Sequence, residues 1–501
     1  MAETEGRRRA VAGHWRVRLL MLLSGVLAAL GHPPLDLSVL TFFGFGVAFW
    51  CLHKCATPRH ALWLGLAFGT GYFAVAIHWI VEPFLVDPVR HGWMAPFALV
   101  FMAVGLSLFW ASAFWATRKI GPKTWPVVLF LTLAELARAY VFGGFPWGMP
   151  SYVLANSFGG QLAAWVGPHG VNLLLFAGAI GAAAVIQSSG RQRYLSATAS
   201  ALVLGVGIFP MTDAPEGDAD RPVVRLVQPN VPQHLKWDPE HMGRFFKRSV
   251  MFTALGEERP DLIIWPETSV PVLLDRGAPT LAVIAEAAAG VPVVLGINRA
   301  QGERVYNSAV LLDGSGSVSQ TYDKHHLVPF GEYIPLGNLM SQFGLRGFAS
   351  RHGDGYSAGP GPRLMDLGPL GKALPLICYE AVFPQDLRGS FERPAFLLQI
   401  TNDAWFGNFS GPYQHLAQAR MRAIEQGLPM VRAANTGVSA VIDAHGRVLA
   451  QLGLNEDGFL DVKLPTAAER TLYTRTGDLP LTVLLVILTT GLLMRARRES
   501  D

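Results

Sequence analysis

Long apolar runs, joined by connections that are alternately basic and nearly uncharged, fill the first 211 residues, and one more lies near the C-terminus. A helix needs about 20 mostly apolar residues to cross a bilayer, and helices or closed barrels are the backbone forms that satisfy their own hydrogen bonds there. By that measure spans fall at roughly 17–32, 36–53, 60–81, 93–115, 124–142, 167–187, 194–211 and 479–495. Arg7, Arg8 and Arg9 precede the first run, and Lys54 and Arg59 follow the second. Arg118, Lys119 and Lys123 follow the fourth, Arg191 and Arg193 the sixth, and Arg495, Arg497 and Arg498 the last. The alternate connections hold little beyond Arg90 and Arg138. Basic residues stay on the cytoplasmic side, so both termini are expected there and residues 212–478 on the opposite side. The first run lacks a clean small-residue cleavage site and many spans follow, so it reads as a span and not as a signal peptide.

Two features inside this region stand out. Glu135 and Arg138 are three residues apart on an expected helix, so they share a face and could pair. Gly167-Pro168-His169-Gly170 interrupts the sixth run, and the residues before it read as a short surface or re-entrant element. Hydrophobic residues make up 50% of the chain and charged residues 16%, too apolar for an ordinary soluble enzyme. The net charge of +4 comes from the clusters at the membrane edges. With no basic stripe interleaved with aromatics, nucleic acid is not an expected partner.

From Arg221 the texture changes to short β-rich runs alternating with helical ones. Val223–Gln228, Leu262–Trp265, Val291–Ile297, Val305–Leu312, Ala373–Cys378, Phe396–Thr401, Met430–Ala434 and Val438–Ile442 read as strands. Pro239–Leu255, Thr280–Ala289 and Gly411–Gln426 read as helices. Several strands are apolar throughout, as sheets covered on both faces require. The expectation is an α/β domain over 212–470, between an N-terminal bundle of about seven spans over 1–211 and a last helix and tail over 471–501. Gly337–Arg363, rich in Gly with interspersed Phe343, Leu345, Phe348 and Tyr356, has no regular period and reads as a lid that touches lipid.

The chain has three cysteines. Cys51 and Cys55 lie in or beside an apolar run, whereas Cys378 stands alone in the polar part. A lone thiol can simply fill a core, but in an exported domain it is a liability unless it is used. Its setting is Leu376-Ile377-Cys378-Tyr379-Glu380, at the end of an apolar strand. Two further segments end strands in the same manner: Trp265-Pro266-Glu267-Thr268, and Tyr322-Asp323-Lys324-His325-His326-Leu327-Val328-Pro329-Phe330-Gly331-Glu332. Strand ends are where the loops of α/β domains converge on one crevice. Together these residues make a chemical set. A thiol attacks acyl carbon as thiolate, Glu267 can take its proton, Lys324 can hold the oxyanion, and Glu332 can keep Lys324 charged and oriented. No metal-ligand spacing stands out, since His325 and His326 are adjacent and on one strand would point to opposite faces.

Glu, Lys and Cys in this order, each in its own local signature, resemble the nitrilase (carbon–nitrogen hydrolase) superfamily over roughly residues 221–465. That resemblance implies a nitrilase-like α-β-β-α sandwich with Glu267 as general base, Lys324 as transition-state stabiliser and Cys378 as nucleophile. Leu327-Val328-Pro329-Phe330-Gly331-Glu332-Tyr333-Ile334-Pro335 and Asn402-Asp403-Ala404-Trp405-Phe406-Gly407, together with the eight-span architecture, are similar to the apolipoprotein N-acyltransferase family. The family resemblance implies that Glu332 is essential, and that Tyr379, Glu380 and Asn307 are functional positions. It also implies that Trp237, in Lys236-Trp237-Asp238-Pro239, lies at the substrate entrance. Trp405, Phe406 and Phe409 are expected to help exclude water. The implied reaction moves an acyl chain from a membrane phospholipid to the α-amino group of the N-terminal S-diacylglyceryl-cysteine of an apolipoprotein, through a thioester on Cys378. The implied setting is the bacterial inner membrane with the catalytic domain periplasmic; a monomer is expected, with no metal or organic cofactor.

Two other readings make different demands. A membrane-tethered amidase of the same superfamily would hydrolyse soluble amides without lipid, and one anchoring helix would suffice. A transporter would line its spans with paired ionisable residues and repeat one half of the bundle in the other, whereas Glu135, Arg138 and scattered His are what the runs contain.

Overall fold

The computed structural model describes residues 2–187, 220–335, 355–388 and 392–499, with isolated positions between 189 and 209. Most of the expected seventh span, 194–211, and most of Gly337–Arg363 lie outside the described residues. The chain divides into two compact units. One comprises Met1–Phe84, Pro88–Met211 and Thr471–Asp501, the other Leu85–Asp87 and Thr212–Arg470.

The first unit is helical. Its main helices are Ala2–Ala29, Ser38–His53, Pro58–Ala76, Ala95–Ile120, Val127–Tyr140, Ala163–Gln187 and Leu479–Arg498. Among the described residues, Pro88–Ile120, Phe158–Val185 and Leu479–Arg498 are long and apolar enough to cross a membrane. Pro58–Ala76 with His78–Leu85 makes a fourth if the pair, bent by 48°, is one span. The described residues thus show three such helices, or four with the bent pair. Ser38–His53 has 16 residues, which at about 1.5 Å each falls short of a hydrocarbon core about 30 Å thick. The expected break in the sixth run is present: Gly167 sits at φ +68°, ψ 177° inside Ala163–Gln187.

Small residues let the helices approach closely. A Cβ on Gly69 would sit 2.6 Å from Ser107 Cβ, and one on Gly65 would sit 2.9 Å from Ala111 Cα. Beside this seam Phe45, Phe68, Tyr72 and Phe73 surround Trp110 at ring-centroid distances of 5.4, 5.4, 4.8 and 4.9 Å. Trp110 Nε1 donates to Glu135 Oε1 at 2.8 Å, and Arg138 Nη2 pairs with Glu135 Oε2 at 2.6 Å. Arg138 Nη1 donates to the carbonyls of Phe145 and Trp147. The pair forms, buried and tied to the neighbouring helix by Trp110.

The second unit holds two six-stranded sheets, ordered β12-β1-β2-β3-β4-β5 and β11-β10-β9-β8-β7-β6. Their strands are β1 (Val223–Gln228), β2 (Leu262–Ile264), β3 (Val293–Gln301), β4 (Arg304–Leu312), β5 (Val318–Asp323), β6 (Met365–Asp366), β7 (Lys372–Ile377), β8 (Phe396–Thr401), β9 (Met430–Ala434), β10 (Ser439–Ile442), β11 (Val448–Leu452) and β12 (Gly458–Lys463). β1, β2 and β3 run parallel, as do β7, β8 and β9, and the flanking pairs are antiparallel.

Helices cover one face of each sheet. Phe252, Leu281 and Ile284 pack on Val293, Leu295, Ile297, Val310 and Leu312 of the first. Leu416, Ala419 and Ala423 pack on Leu374, Leu376, Leu397, Met430 and Ile442 of the second. The opposite faces meet each other: Ser439 on β10 donates through N (3.1 Å) and Oγ (2.5 Å) to Gln228 Oε1 on β1. This is the expected α-β-β-α sandwich, a mixed-sheet version of it.

The eight expected strands are present with ends shifted by up to a few residues. β5, β6, β11 and β12 were not expected. They lie at sheet edges, with exposed or half-buried residues in place of a continuous apolar run. Two corrections concern the site. Cys378 is not the last strand residue; β7 stops at Ile377. His325 and His326 are not on a strand either, since β5 stops at Asp323.

Candidate active site

Three strand ends deliver ionisable side chains to one buried centre. After β2, Trp265 N–H still donates to Val294 O at 2.8 Å, and the chain then turns at Pro266 and presents Glu267. Thr268 closes that turn at φ +46°. The turn lies on Gly296 of β3, where a Cβ would sit 2.5 Å from Pro266 O and Thr268 N, so a side chain there would expel the turn.

Lys324 follows β5. Its N–H donates to Asn307 O at 2.9 Å, and its side chain is buried. The preceding Asp323 is held by Arg299 Nη2 and Ser308 Oγ, each at 2.6 Å. Cys378 follows β7 at φ +52°, left-handed backbone that a non-glycine residue adopts only when its surroundings hold it there. Ile377 N–H donates to Glu380 Oε2 at 2.7 Å, and Cys378 O lies 3.2 Å from His415 Nε2 and 3.3 Å from Gln399 Nε2.

The charged groups interlock. Lys324 Nζ lies 2.8 Å from Glu332 Oε1 and 3.5 Å from Glu267 Oε1. Asn307 Nδ2 donates to both carboxylates, at 2.7 Å to Glu267 Oε1 and 3.3 Å to Glu332 Oε1. Backbone N–H groups occupy the remaining oxygens: Asn402 N to Glu267 Oε2 at 2.9 Å, and Val328 N to Glu332 Oε2 at 2.8 Å. Burial opposes charge on Lys324, but Glu332 and Glu267 hold its ammonium well above the usual lysine range. Burial, reinforced by Glu267, pushes the Cys378 thiol up, and Lys324 opposes this. The resting sulfur is therefore a thiol, and a thiolate forms only as its proton leaves for a neighbouring base.

The other expected residues fall into distinct places. Glu380, fully buried, joins two of the three loops: besides Ile377 N–H it accepts from His325 N–H at 2.8 Å and Tyr322 OH at 3.0 Å. Tyr379 packs edge-on to Phe383 (4.9 Å) and His326 (5.6 Å). Trp237 lines a pocket with Lys236, Phe245, Phe246, Glu267 and Thr268. Trp405 is half-buried, and Phe406 is buried edge-on to His415 at 5.6 Å. Phe409 is exposed.

The apolipoprotein N-acyltransferase N-terminal domain matches residues 24–181, and the carbon-nitrogen hydrolase family matches residues 224–472. Apolipoprotein N-acyltransferases of Rhodopseudomonas palustris and Caulobacter vibrioides are each 36% identical to this chain. The first comparison covers 97% of this chain and 96% of the relative, the second 94% and 93%. The chain belongs to the apolipoprotein N-acyltransferase family. An amidase structure from Nesterenkonia sp. AN1 aligns with 54% of the chain and 99% of its own length, at 21% identity and a TM-score of 0.39.

Within this family member, sequence reasoning missed the support beneath Cys378. Asp403 Oδ1 accepts from Thr401 Oγ1 at 2.9 Å and lies 2.8 Å from His415 Nδ1, while Arg432 Nη2 donates to Asp403 Oδ2. Arg432 Nη1 donates to Gln399 Oε1 at 2.6 Å. Two side chains that meet the Cys378 carbonyl, His415 and Gln399, are thus fixed by one buried ion cluster. Asp403 and Arg432 sit on or beside apolar strands, and His415 on a helix that reads as polar; only their convergence gives the cluster away.

Burial opposes charge on Asp403, but Arg432 and His415 hold its carboxyl down at about 2. A depressed folded-state value gives stability that is complete above the unfolded value of about 3.9 and is lost as pH falls through about 2. Asp403→Asn strands the Arg432 guanidinium and is expected to cost about 3–5 kcal/mol. Thermal unfolding at neutral pH measures this, and the difference from the native chain should shrink below about pH 3.

Proposed function

We propose that this chain transfers a fatty acyl group from a membrane phospholipid to the α-amino group of the N-terminal S-diacylglyceryl-cysteine of an apolipoprotein, with Cys378 carrying the acyl group between them. The observation that carries the reading is the convergence of Cys378, Lys324 and the Glu267 carboxylate from three loops into one buried centre, in a chain of this family.

In the first half-reaction, Glu267 takes the thiol proton as Cys378 Sγ attacks the donor ester carbon. Lys324 Nζ receives the developing oxyanion, with Glu332 and Asn307 holding the ammonium and the base in register. The tetrahedral intermediate collapses, the C–O bond breaks, and the lysophospholipid alcohol leaves with the proton from Glu267. In the second, Glu267 takes one proton from the incoming ammonium and releases it to solvent, the amine attacks the thioester carbon, the C–S bond breaks, and the remaining surplus N–H proton passes through Glu267 to the departing Cys378 thiolate. The centre is nearly closed to solvent, which favours amine over water as the resolving nucleophile. The apolar helices and the alternating basic connections support an eight-span, multi-pass chain in the bacterial inner membrane. On this reading both termini are cytoplasmic and the catalytic unit is periplasmic, working as a monomer. A donor ester in the outer leaflet would then lie on the same side of the membrane as Cys378.

Mass spectrometry of the full chain with acyl-labelled phospholipid tests this. Acyl mass is expected on Cys378 and is expected to move to the amine of an added diacylglyceryl-cysteine peptide. Hydrolysis of a soluble amide with no acyl mass from lipid would replace this reading with the amidase one.

A further inference from the structure

We propose that Lys236 is a second ammonium of the active centre, a positioning residue that fixes the Glu267–Thr268 turn and offsets the negative charge that develops on Cys378. This rests on the acyl-transfer reading above. Lys236 follows the short turn Gln233–Leu235 and is buried. Its Nζ donates to Glu267 O at 3.1 Å and to Thr268 Oγ1 at 2.7 Å. It therefore grips the backbone of the expected base itself and the side chain of the residue that closes the turn at φ +46°.

The charge balance explains why this grip is made by an ammonium. Glu267 and Glu332 with Lys324 alone would leave one uncompensated negative charge in a buried space. Lys236 makes the centre neutral while the thiol is protonated, and it remains nearby when the proton passes from sulfur to Glu267. The charged groups that act on the sulfur come from three loops, Glu267 after β2, Lys324 after β5 and Asp403 after β8, and Lys236 after β1 feels the sulfur in turn. Glu332 stands behind Lys324, and Arg432 and His415 stand behind Asp403. Burial lowers Lys236 to about 8, against the pull of Glu267 and Cys378, so it is still largely charged at neutral pH. The same side chain lines the pocket with Trp237 and Phe245, where an approaching substrate would meet it.

The test is the pH profile of Cys378 alkylation by iodoacetamide, read on the Cys378 peptide by mass spectrometry in the detergent-solubilised full chain. It needs no lipid and no turnover. Lys236→Gln can keep amide donors toward Glu267 O and Thr268 Oγ1 while removing the charge. It is expected to slow alkylation about tenfold at about pH 7, where Lys236 is charged, with the two profiles converging as pH rises above about 8. Lys236→Arg is expected to recover the rate to within about threefold, and Thr268→Val, which keeps the ammonium, to leave the profile in place. A Lys236→Gln profile superimposed on the native one would overturn the proposal, as would a Thr268→Val profile displaced equally far. Failure of the native chain to acquire acyl mass from phospholipid would count against the acyl-transfer reading instead, whatever the alkylation profile.

Discussion

Cys378→Ser is expected to lower acyl transfer by about 10⁴-fold or more and to eliminate the covalent acyl adduct, while leaving the fold intact. The reason is a mismatch of acidity. Even a thiol raised by burial and by Glu267 is a far better match to a carboxylate base than an alcohol, so a hydroxyl at this position would keep its proton. The substitution keeps the side chain small and leaves φ +52° as it is, supported by Glu380 on the N–H side and by His415 and Gln399 on the carbonyl side. Thermal unfolding should therefore shift by less than about 1 kcal/mol. Acyl transfer and the mass of the Cys378 peptide are the measurements. A thioester found on another residue, or transfer that survives the substitution, would remove Cys378 from the chemistry.

The parts of this site legible in sequence are those set by local pattern. β2, β7 and β8 are short apolar runs, and a carboxylate or thiol close behind such a run marks a strand end facing a crevice, as Glu267 and Cys378 do. Lys324 obeys the same rule after β5, a strand that is itself hard to read because its first half is exposed and polar. The groups that could not be read are those defined by convergence. Nothing local in Asn402 says that its N–H donates to Glu267 Oε2, because the two are 135 residues apart. Lys236 sits in a loop beside an aromatic residue, where a lysine is usually solvated, and only the fold reveals that it is buried. The spans show the opposite limit. Hydropathy locates apolar runs well, but a 48° bend after Ala76 and a left-handed Gly167 are backbone events that composition records only as an interruption.

Lys324→Met is the second large effect, and it separates chemistry from architecture. Lys324 is the cation between two buried carboxylates, so removing it leaves Glu267 and Glu332 with Asn307 as their shared donor. Transfer should fall by about 10³-fold or more, because a donor aimed at a developing oxyanion in a water-poor site is not replaced by solvent. Stability should fall as well, by about 3–5 kcal/mol, the cost of an uncompensated buried charge. Adding Glu332→Gln to Lys324→Met removes that orphaned carboxylate while an amide can still accept from Val328 N–H, now at 2.8 Å from Glu332 Oε2. The pair should regain much of the lost stability yet none of the transfer, as thermal unfolding and acyl transfer on the same preparations would show. A double variant that regained transfer along with stability would mean that Lys324 serves only to neutralise Glu332, and the oxyanion would then have to be held by backbone N–H groups alone.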